Sequence, residues 1–392
     1  MENVIYWLWL QEILGYGNNR FKRIMLTYGN VKSLFESNAQ ERKLSGLFTQ
    51  NELKRMESIE NLKNAEKTFE KCQRLGYDII TYEDKRYPKR LRNISNPPCV
   101  IYTWGRLPDI DNNISIGIVG TRKATSYGCR SAFEIAYELG KKNSIVISGC
   151  ALGIDSESHK GALQSGGLTV GILGCGINTE YLIKNSSLRH AISNQGCIIS
   201  EFPPDYEAFA WNFPIRNRII SGLSLGVLLI EAGKRSGSLI TADLALEQNK
   251  DVFVFDGNTR GTLSIGTKKL KDEGAIPINT AEDILKEYEY LIPSLLTSRL
   301  SRSGIRKKKE EIILEKEEED IKKKEESEKI LNELSEEEKI IYNLLLKGDK
   351  NIDEIIVQSK MNSSKVLATL TMLELKDVIV KQVGRMYKLK NK

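Results

Sequence analysis

The groups in this sequence that could do chemistry lie in short glycine-containing segments, each following a run of apolar residues. One is Gly120-Thr121-Arg122-Lys123, where two cations stand beside a tight turn. Gly149 lies in a similar loop, and Ser236-Gly237-Ser238 opens a helix-like segment directly after Lys234-Arg235. Backbone N–H groups at a helix N-terminus, assisted by basic side chains, bind phosphate. These segments together predict an anion site, although each one alone also fits a turn that only packs.

Residues 211–218, Trp-Asn-Phe-Pro-Ile-Arg-Asn-Arg, indicate a second kind of chemistry. Phe213 is an aromatic on which an unpaired base could stack, and Arg216 and Arg218 could follow a phosphate backbone. The same pattern also fits an aromatic plug in a protein core, flanked by ion pairs. Both interpretations stay open from the sequence.

Metal and histidine chemistry have little support in the sequence. The chain holds two histidines and six cysteines, and the cysteines are scattered without a C-x-x-C pair,. Neither a Walker motif nor a dinucleotide fingerprint follows the first strand. We therefore predict no metal and no cofactor. His159, one helical turn after Asp155, is expected to be a hydrogen-bonded structural side chain.

The elements that must position these groups form an α/β pattern. Short strands rich in Ile, Val and Leu alternate with helix-like segments, which predicts a Rossmann-like, doubly wound parallel sheet covered on both faces. In such a sheet, ligands bind at the carboxyl ends of the strands, and the following helix N-terminus donates N–H groups to anions. The strands are predicted at residues 114–119, 144–148, 169–173, 197–200, 225–229 and 252–255.

The flanking sequence predicts further domains. Residues 1–75 are predicted as helical, either a helix-hairpin-helix or a plain helical packing module, and residues 76–290 contain the α/β domain. Mixed charges over residues 291–335 predict a linker. Three helix-like segments and a hairpin over residues 336–392 follow the order of a winged helix.

Charge narrows how the chain could bind a polyanion. The 392 residues carry a formal net charge of +6, but residues 111–290 hold 18 basic and 20 acidic side chains. Affinity would therefore depend on a few arginines and helix N-termini at one sheet edge, with carboxylates kept elsewhere. No stretch approaches the roughly 20 apolar residues that span a bilayer, which favours a cytoplasmic protein without a membrane partner.

Six segments, taken in order, resemble the DNA-processing protein A (DprA/Smf) family. The sequence departs from the family pattern after Tyr181, where Leu182-Ile183 replaces a proline and a basic residue and Lys184 comes later. The matching segments are residues 120–122, 148–155, 174–176, 200–203, 213–224 and 236–242.

This resemblance implies a homodimeric protein that binds single-stranded DNA, protects incoming DNA and loads the RecA recombinase in natural transformation, without catalytic turnover. The alternative is a Rossmann-like enzyme that hydrolyses nucleoside monophosphates, although the Pro-Gly-Gly-x-Gly-Thr motif of such enzymes is missing from residues 231–243. The residues predicted to contact DNA are Gly120, Thr121, Arg122, Lys123, Gly149, Lys184, Asn185, Phe213, Arg216, Asn217, Arg218, Ser236, Gly237 and Ser238.

Overall fold

The structure, a computed structural model, describes residues 2–181, 183–257, 261–291, 334–346, 348–359, 361–382 and 386–390. It divides into two compact units, one containing the described residues up to 291 and the other those from 334 onward. Most of the linker predicted at residues 291–335 lies outside the described residues. The predicted boundary between residues 75 and 76 stays a prediction.

The first unit is built on a nine-stranded sheet in the order β1-β2-β6-β5-β4-β3-β7-β8-β9. The strands from β3 to β9 pair in parallel, as predicted, whereas β1 pairs antiparallel with β2 and β2 pairs antiparallel with β6. The strands are β1 (Asp78–Thr81), β2 (Val100–Gly105), β3 (Ser115–Val119), β4 (Ile145–Ser148), β5 (Thr169–Leu173), β6 (Cys197–Ser200), β7 (Gly226–Leu229), β8 (Asp251–Phe255) and β9 (Ile276–Ile278).

Helices cover both faces of this sheet, which confirms the predicted doubly wound α/β class. Apolar residues of α11, α12 and α13 pack on one face, and those of α8, α9 and α14 pack on the other. The helices are α1 (Glu2–Leu14), α2 (Phe21–Tyr28), α3 (Val31–Glu36), α4 (Ala39–Leu44), α5 (Gln50–Glu57), α6 (Ile59–Leu75), α7 (Lys89–Arg92), α8 (Ser126–Lys141), α9 (Ile154–Gln164), α10 (Ser186–Gln195), α11 (Asn212–Leu223), α12 (Gly237–Glu247), α13 (Ile265–Asp272) and α14 (Ala281–Lys286).

The order of the strands creates a switch point beside β3. From β3 the chain builds outward through β4, β5 and β6, and it then crosses back to place β7 on the other side of β3. The connections on the two sides of β3 diverge at this point and leave a crevice at the carboxyl ends of the strands. This topology decides where a ligand site can form.

The N-terminal helices share a core with the sheet. Trp7 and Trp9 of α1 are fully buried in a cluster that includes Val100 and Ile198 of the sheet. The buried side chain of Gln11 donates hydrogen bonds to the carbonyl oxygens of Val100 and Glu201. A buried amide needs such partners, because leaving it unsatisfied costs about 1–3 kcal/mol.

The turn after α1 also contacts the sheet domain, because the Gly17 N–H donates to the carboxylate of Glu201 at 3.1 Å. In a helix-hairpin-helix, backbone amides of such a turn hold a DNA phosphate. Here this amide is bonded within the protein, which favours the packing interpretation of the helical segment.

The second unit has the order of a winged helix, as predicted. Its apolar core joins Ile341, Ile355, Leu370 and Leu389. The hairpin pairs Ile379 with Leu389, and a two-residue strand missed by sequence reasoning completes a three-stranded sheet. The elements are α15 (Glu336–Leu346), β10 (Lys350–Asn351), α16 (Ile352–Ser359), α17 (Ser363–Leu375), β11 (Ile379–Gln382) and β12 (Met386–Leu389).

Candidate nucleic-acid interface

A cavity of about 320 Å³ lies at the switch point, beyond the carboxyl end of β3. The loops after β3 and β4 contribute one wall, and the first turns of α11 and α12 contribute the other. Most of the residues that the sequence predicted for the site meet here. The lining residues are Val119, Gly120, Thr121, Arg122, Ala151, Asp155, Phe213, Pro214, Arg216, Asn217, Ile220, Ser236, Gly237, Ser238, Ile240 and Thr241.

Backbone contacts fix the loop that carries Arg122. The Thr121 N–H donates to the carbonyl oxygen of Glu231 at 2.9 Å, and the Ile154 N–H donates to the Thr121 carbonyl at 3.4 Å. Gly153 has a φ of +79°, and a Cβ there would lie 2.5 Å from the Thr121 oxygen. Only glycine combines that backbone conformation with so close an approach. The loops after β3 and β4 are therefore held together before any ligand binds.

The N-terminus of α8, expected to receive an anion, is occupied by a carboxylate of the protein. Glu231 is buried and accepts from the Thr125 N–H at 2.9 Å and from the Thr125 hydroxyl at 2.6 Å. Thr125 is the N-cap residue of α8. A carboxylate in this position satisfies the helix dipole that a phosphate would otherwise satisfy. This helix therefore supports the fold rather than the ligand, and sequence reasoning did not identify Glu231 in this role.

The N-terminus of α12 opens into the cavity. Its N-cap residue Ser236 directs its hydroxyl to the Ser238 hydroxyl, 2.8 Å away, rather than to the backbone of its own helix. Gly237 is exposed and has open space where a side chain would be. The first N–H groups of a helix attract anions. This terminus is therefore available to a phosphate in the cavity.

Arg122 and Phe213 form the polar and aromatic pair of the site. Arg122 is exposed, and its Cζ atom lies 5.0 Å from the centroid of the half-buried Phe213 ring. Tyr181 packs against the same ring with centroids 5.3 Å apart. A Cβ at Gly174 would approach the ring to 2.9 Å, so glycine is needed behind it. The ring is thereby fixed in position while the guanidinium stays in contact with solvent.

Arg216 and Asp155 are two buried side chains of opposite charge in the wall of the cavity. Arg216 donates to the carbonyl oxygens of Gly149 and Ile172, the former at 2.6 Å. Burial raises the pKa of Asp155, while Arg216 and the N–H groups of Ala151 and Gly149 oppose that rise. The expectation that carboxylates lie elsewhere thus needs correction, because Asp155 lines the cavity. Arg216 therefore stabilises the loop after β4, and part of its side chain lines the cavity.

The remaining predicted residues lie outside the cavity lining. Arg218 is 2% exposed and donates to Glu201 at 2.7 Å. Asn185 is buried and donates to the Cys150 carbonyl and the Ser156 hydroxyl, both at 3.0 Å. Lys123 is exposed, and Lys184 lies in the 3-10 turn Ile183–Asn185. Arg218 and Asn185 therefore stabilise the framework of the site.

His159 is a buried structural residue, as predicted. Its Nδ1 lies 2.7 Å from the Thr169 hydroxyl and its Nε2 lies 3.5 Å from the Cys150 sulfur. Burial, with a smaller contribution from the charge of Arg216, lowers the pKa of His159 to about 3. The imidazole is therefore neutral in the folded protein at neutral pH.

This low pKa predicts a pH-dependent stability. Below pH 6.5 the imidazole of His159 is protonated in the unfolded chain but stays neutral in the folded chain. The stability present at higher pH is therefore lost as the pH falls from about 6.5 towards 3. We expect the free energy of unfolding to fall by about 1.4 kcal/mol between pH 7.5 and 5.5 from this group. Guanidinium titrations at both pH values test this, with His159→Asn as the comparison. That variant retains Asp155, whose raised pKa acts with the opposite sign, and an equal pH difference in both proteins would contradict the assignment.

Among the residues that the structure describes, no helix is both long enough and apolar enough to cross a membrane. The same part of the chain brings together no group of three His, Cys, Asp or Glu side chains that could hold a metal ion.

The doubly wound sheet and the basic, glycine-lined cavity at its switch point define a Rossmann-like protein with a site suited to a phosphate. Residues 78–289 match the family described as DNA recombination-mediator protein A, and residues 325–385 match its winged-helix domain, described as the DprA winged helix domain. The chain therefore belongs to the DNA recombination-mediator protein A family.

Individual relatives and solved structures agree with this. The chain is 38% identical over 212 residues to the DNA processing protein DprA of Bacillus subtilis, covering 54% of this chain and 71% of the relative. It is 37% identical over 216 residues to the protein Smf of Escherichia coli, covering 55% and 58%. The crystal structure of DprA from Streptococcus pneumoniae superposes with a TM-score of 0.64 at 31% identity, covering 72% of this chain and 97% of that one.

Proposed function

We propose that this protein is a cytoplasmic, homodimeric mediator that binds single-stranded DNA, protects incoming DNA and loads the RecA recombinase in natural transformation. It acts by binding, without catalytic turnover. Membership of the recombination-mediator family supports the general role. The observation that carries the DNA assignment is the placement of the exposed Arg122 over Phe213, beside the open N-terminus of α12.

The geometry favours an unpaired nucleotide over a duplex. The aromatic ring lies in a cavity, so a base must leave the stack of a helix before it can reach Phe213. Phosphates on either side of that base meet Arg122 and the amides of Gly237 and Ser238. The middle of the chain has no net positive charge, so these local groups and the helix dipole must supply the attraction.

The proposed contacts are chosen from the side chains and amides that line the cavity. Part of the Arg216 side chain lines the cavity, and its guanidinium donates to the Gly149 carbonyl oxygen. Lys123 lies next to the site. Arg218 and Asn185, although predicted as contacts, are assigned to the framework because they do not line the cavity and their polar groups are bonded within the protein. The residues proposed to touch DNA are Gly120, Thr121, Arg122, Phe213, Asn217, Ser236, Gly237 and Ser238.

A fluorescence-anisotropy titration tests the proposed function. Labelled single-stranded and double-stranded oligonucleotides of the same sequence are compared at two salt concentrations. We expect the protein to prefer the single strand and its affinity to fall as the salt concentration rises. The salt dependence arises because cationic side chains that neutralise phosphates release the counterions held by the DNA. Equal affinity for the duplex, or affinity independent of salt, would contradict the proposal. Light scattering measures the dimer, and RecA filament growth on protein-coated DNA measures loading.

Replacing Phe213 by leucine tests the stacking contact. Leucine keeps an apolar side chain at this position but removes the aromatic face, so we expect loss of roughly 1 kcal/mol, or about fivefold in Kd. Phe133→Leu, at a half-buried phenylalanine of α8 outside the cavity, is the matched control. Unchanged affinity in Phe213→Leu would show that no base stacks there.

The enzyme alternative is tested on the same preparation. Asp155 is a carboxylate in a cavity of nucleotide size, but it accepts the Ala151 N–H and lies beside Arg216. These bonds commit it to the framework of the site. Incubation with nucleoside monophosphates should therefore release no free base, and release that is lost in Asp155→Asn would establish the enzyme.

A further inference from the structure

Trp211 is a large aromatic side chain left in solvent at the N-cap of α11. It is 61% exposed, whereas Trp7 and Trp9 are fully buried. An exposed indole is unusual in a soluble protein because this side chain normally buries most of its area. It also lies only two residues before Phe213, so the two Cα atoms are at most about 7 Å apart.

The Trp211 ring is held in place by other aromatic rings. It stacks in parallel on Phe209, with centroids 4.6 Å apart and an interplanar angle of 4°. Phe209 packs edge-on against Tyr206 at 5.9 Å, and Tyr206 stacks on the fully buried Phe202 at 5.1 Å. These four residues form an aromatic ladder that begins in the core and ends in solvent.

The loop that carries the ladder is also bonded to the sheet edge. The Gly176 N–H donates to the Tyr206 carbonyl at 2.8 Å, and the Asn178 N–H donates to the Pro204 carbonyl at 2.8 Å. The carboxylate of Asp205 in this loop is paired with Lys71. The exposed ring is therefore preorganised, which lowers the cost of bringing a nucleotide to it.

We propose that the free face of Trp211 is a second base-stacking position, which binds the unpaired nucleotide adjacent to the one on Phe213. This inference rests on the proposed function and extends it to the path of the strand across the start of α11. Stacking on an aromatic face accepts any base, so the position adds affinity without sequence preference. A protein partner on the same surface is the outcome that would overturn it.

The intrinsic fluorescence of the full chain tests the proposal. Trp211 is the exposed tryptophan, so titration with unlabelled oligothymidylate should quench its emission at the concentrations where anisotropy reports binding. Trp104→Phe, at a half-buried tryptophan, should keep the quench, and Trp211→Phe should remove it. Anisotropy binding without any quench would refute the proposal.

Affinity provides the second readout. Trp211→Leu should weaken binding by about fivefold or more, while Trp211→Phe, which keeps an aromatic face, should stay near the unchanged protein. If Trp211→Leu binds DNA normally while Arg122→Ala does not, the stacking position at Trp211 is refuted and the proposed DNA-binding function is supported. If the unchanged protein binds no single strand at all, both fall together.

Discussion

Replacing Arg218 by alanine is expected to lower the free energy of unfolding by about 3–5 kcal/mol, because it leaves a buried carboxylate without its partner. Arg218 and Glu201 are each 2% exposed, and Nη2 of Arg218 lies 2.7 Å from Oε1 of Glu201. Glu201 also accepts the Gly17 N–H, so the pair connects the N-terminal helices to α11. Chemical unfolding followed by circular dichroism measures the loss.

Two variants show whether this effect comes from the buried pair. Arg86→Ala removes an exposed arginine paired with Asp84, and it should cost no more than about 1 kcal/mol,. The double variant Glu201→Gln with Arg218→Met removes both charges and should recover much of the lost stability. If Arg218→Ala instead keeps its stability and loses DNA binding, Arg218 contacts DNA directly, as its sequence motif predicted.

Replacing Arg122 by alanine is expected to weaken single-stranded DNA binding by roughly 10- to 150-fold, which corresponds to about 1.5–3 kcal/mol for a hydrogen bond to a charged group. The loss should be similar for all sequences because a phosphate carries no base information. The slope of log affinity against log salt should decrease by about 0.7, the value for one phosphate on a single strand.

The control is Arg130→Ala, at an exposed arginine of α8 outside the cavity lining. It changes the net charge equally but should leave the affinity within about twofold, because Arg130 does not line the cavity and salt screens the charge of an exposed side chain,. Equal losses in the two variants would show that general charge, and not the cavity, binds DNA. Because Arg122 is exposed, neither variant should alter the unfolding transition.

Much of the α/β domain was predictable because its strands are apolar on both faces. The predicted strand at residues 169–173 coincides with β5, and that at 197–200 coincides with β6. Residues 211–218 were interpreted as a cluster rather than as the start of α11, since Pro214 and the mixed polar residues hide the helical period. The antiparallel edge formed by β1 and β2 also depends on long-range pairing, which local sequence does not report.

The sequence by itself determined the class of fold, the winged-helix order of the last segment and the loops that meet at the sheet edge. Only the tertiary structure decided what each charged group does there. Arg122, Arg216 and Arg218 have the same chemistry, yet one is in solvent, one holds a loop and one pairs with a buried glutamate. Burial and partners set those roles, and they come from parts of the chain far away in sequence. For the same reason Glu231, rather than a ligand, occupies the N-terminus of α8.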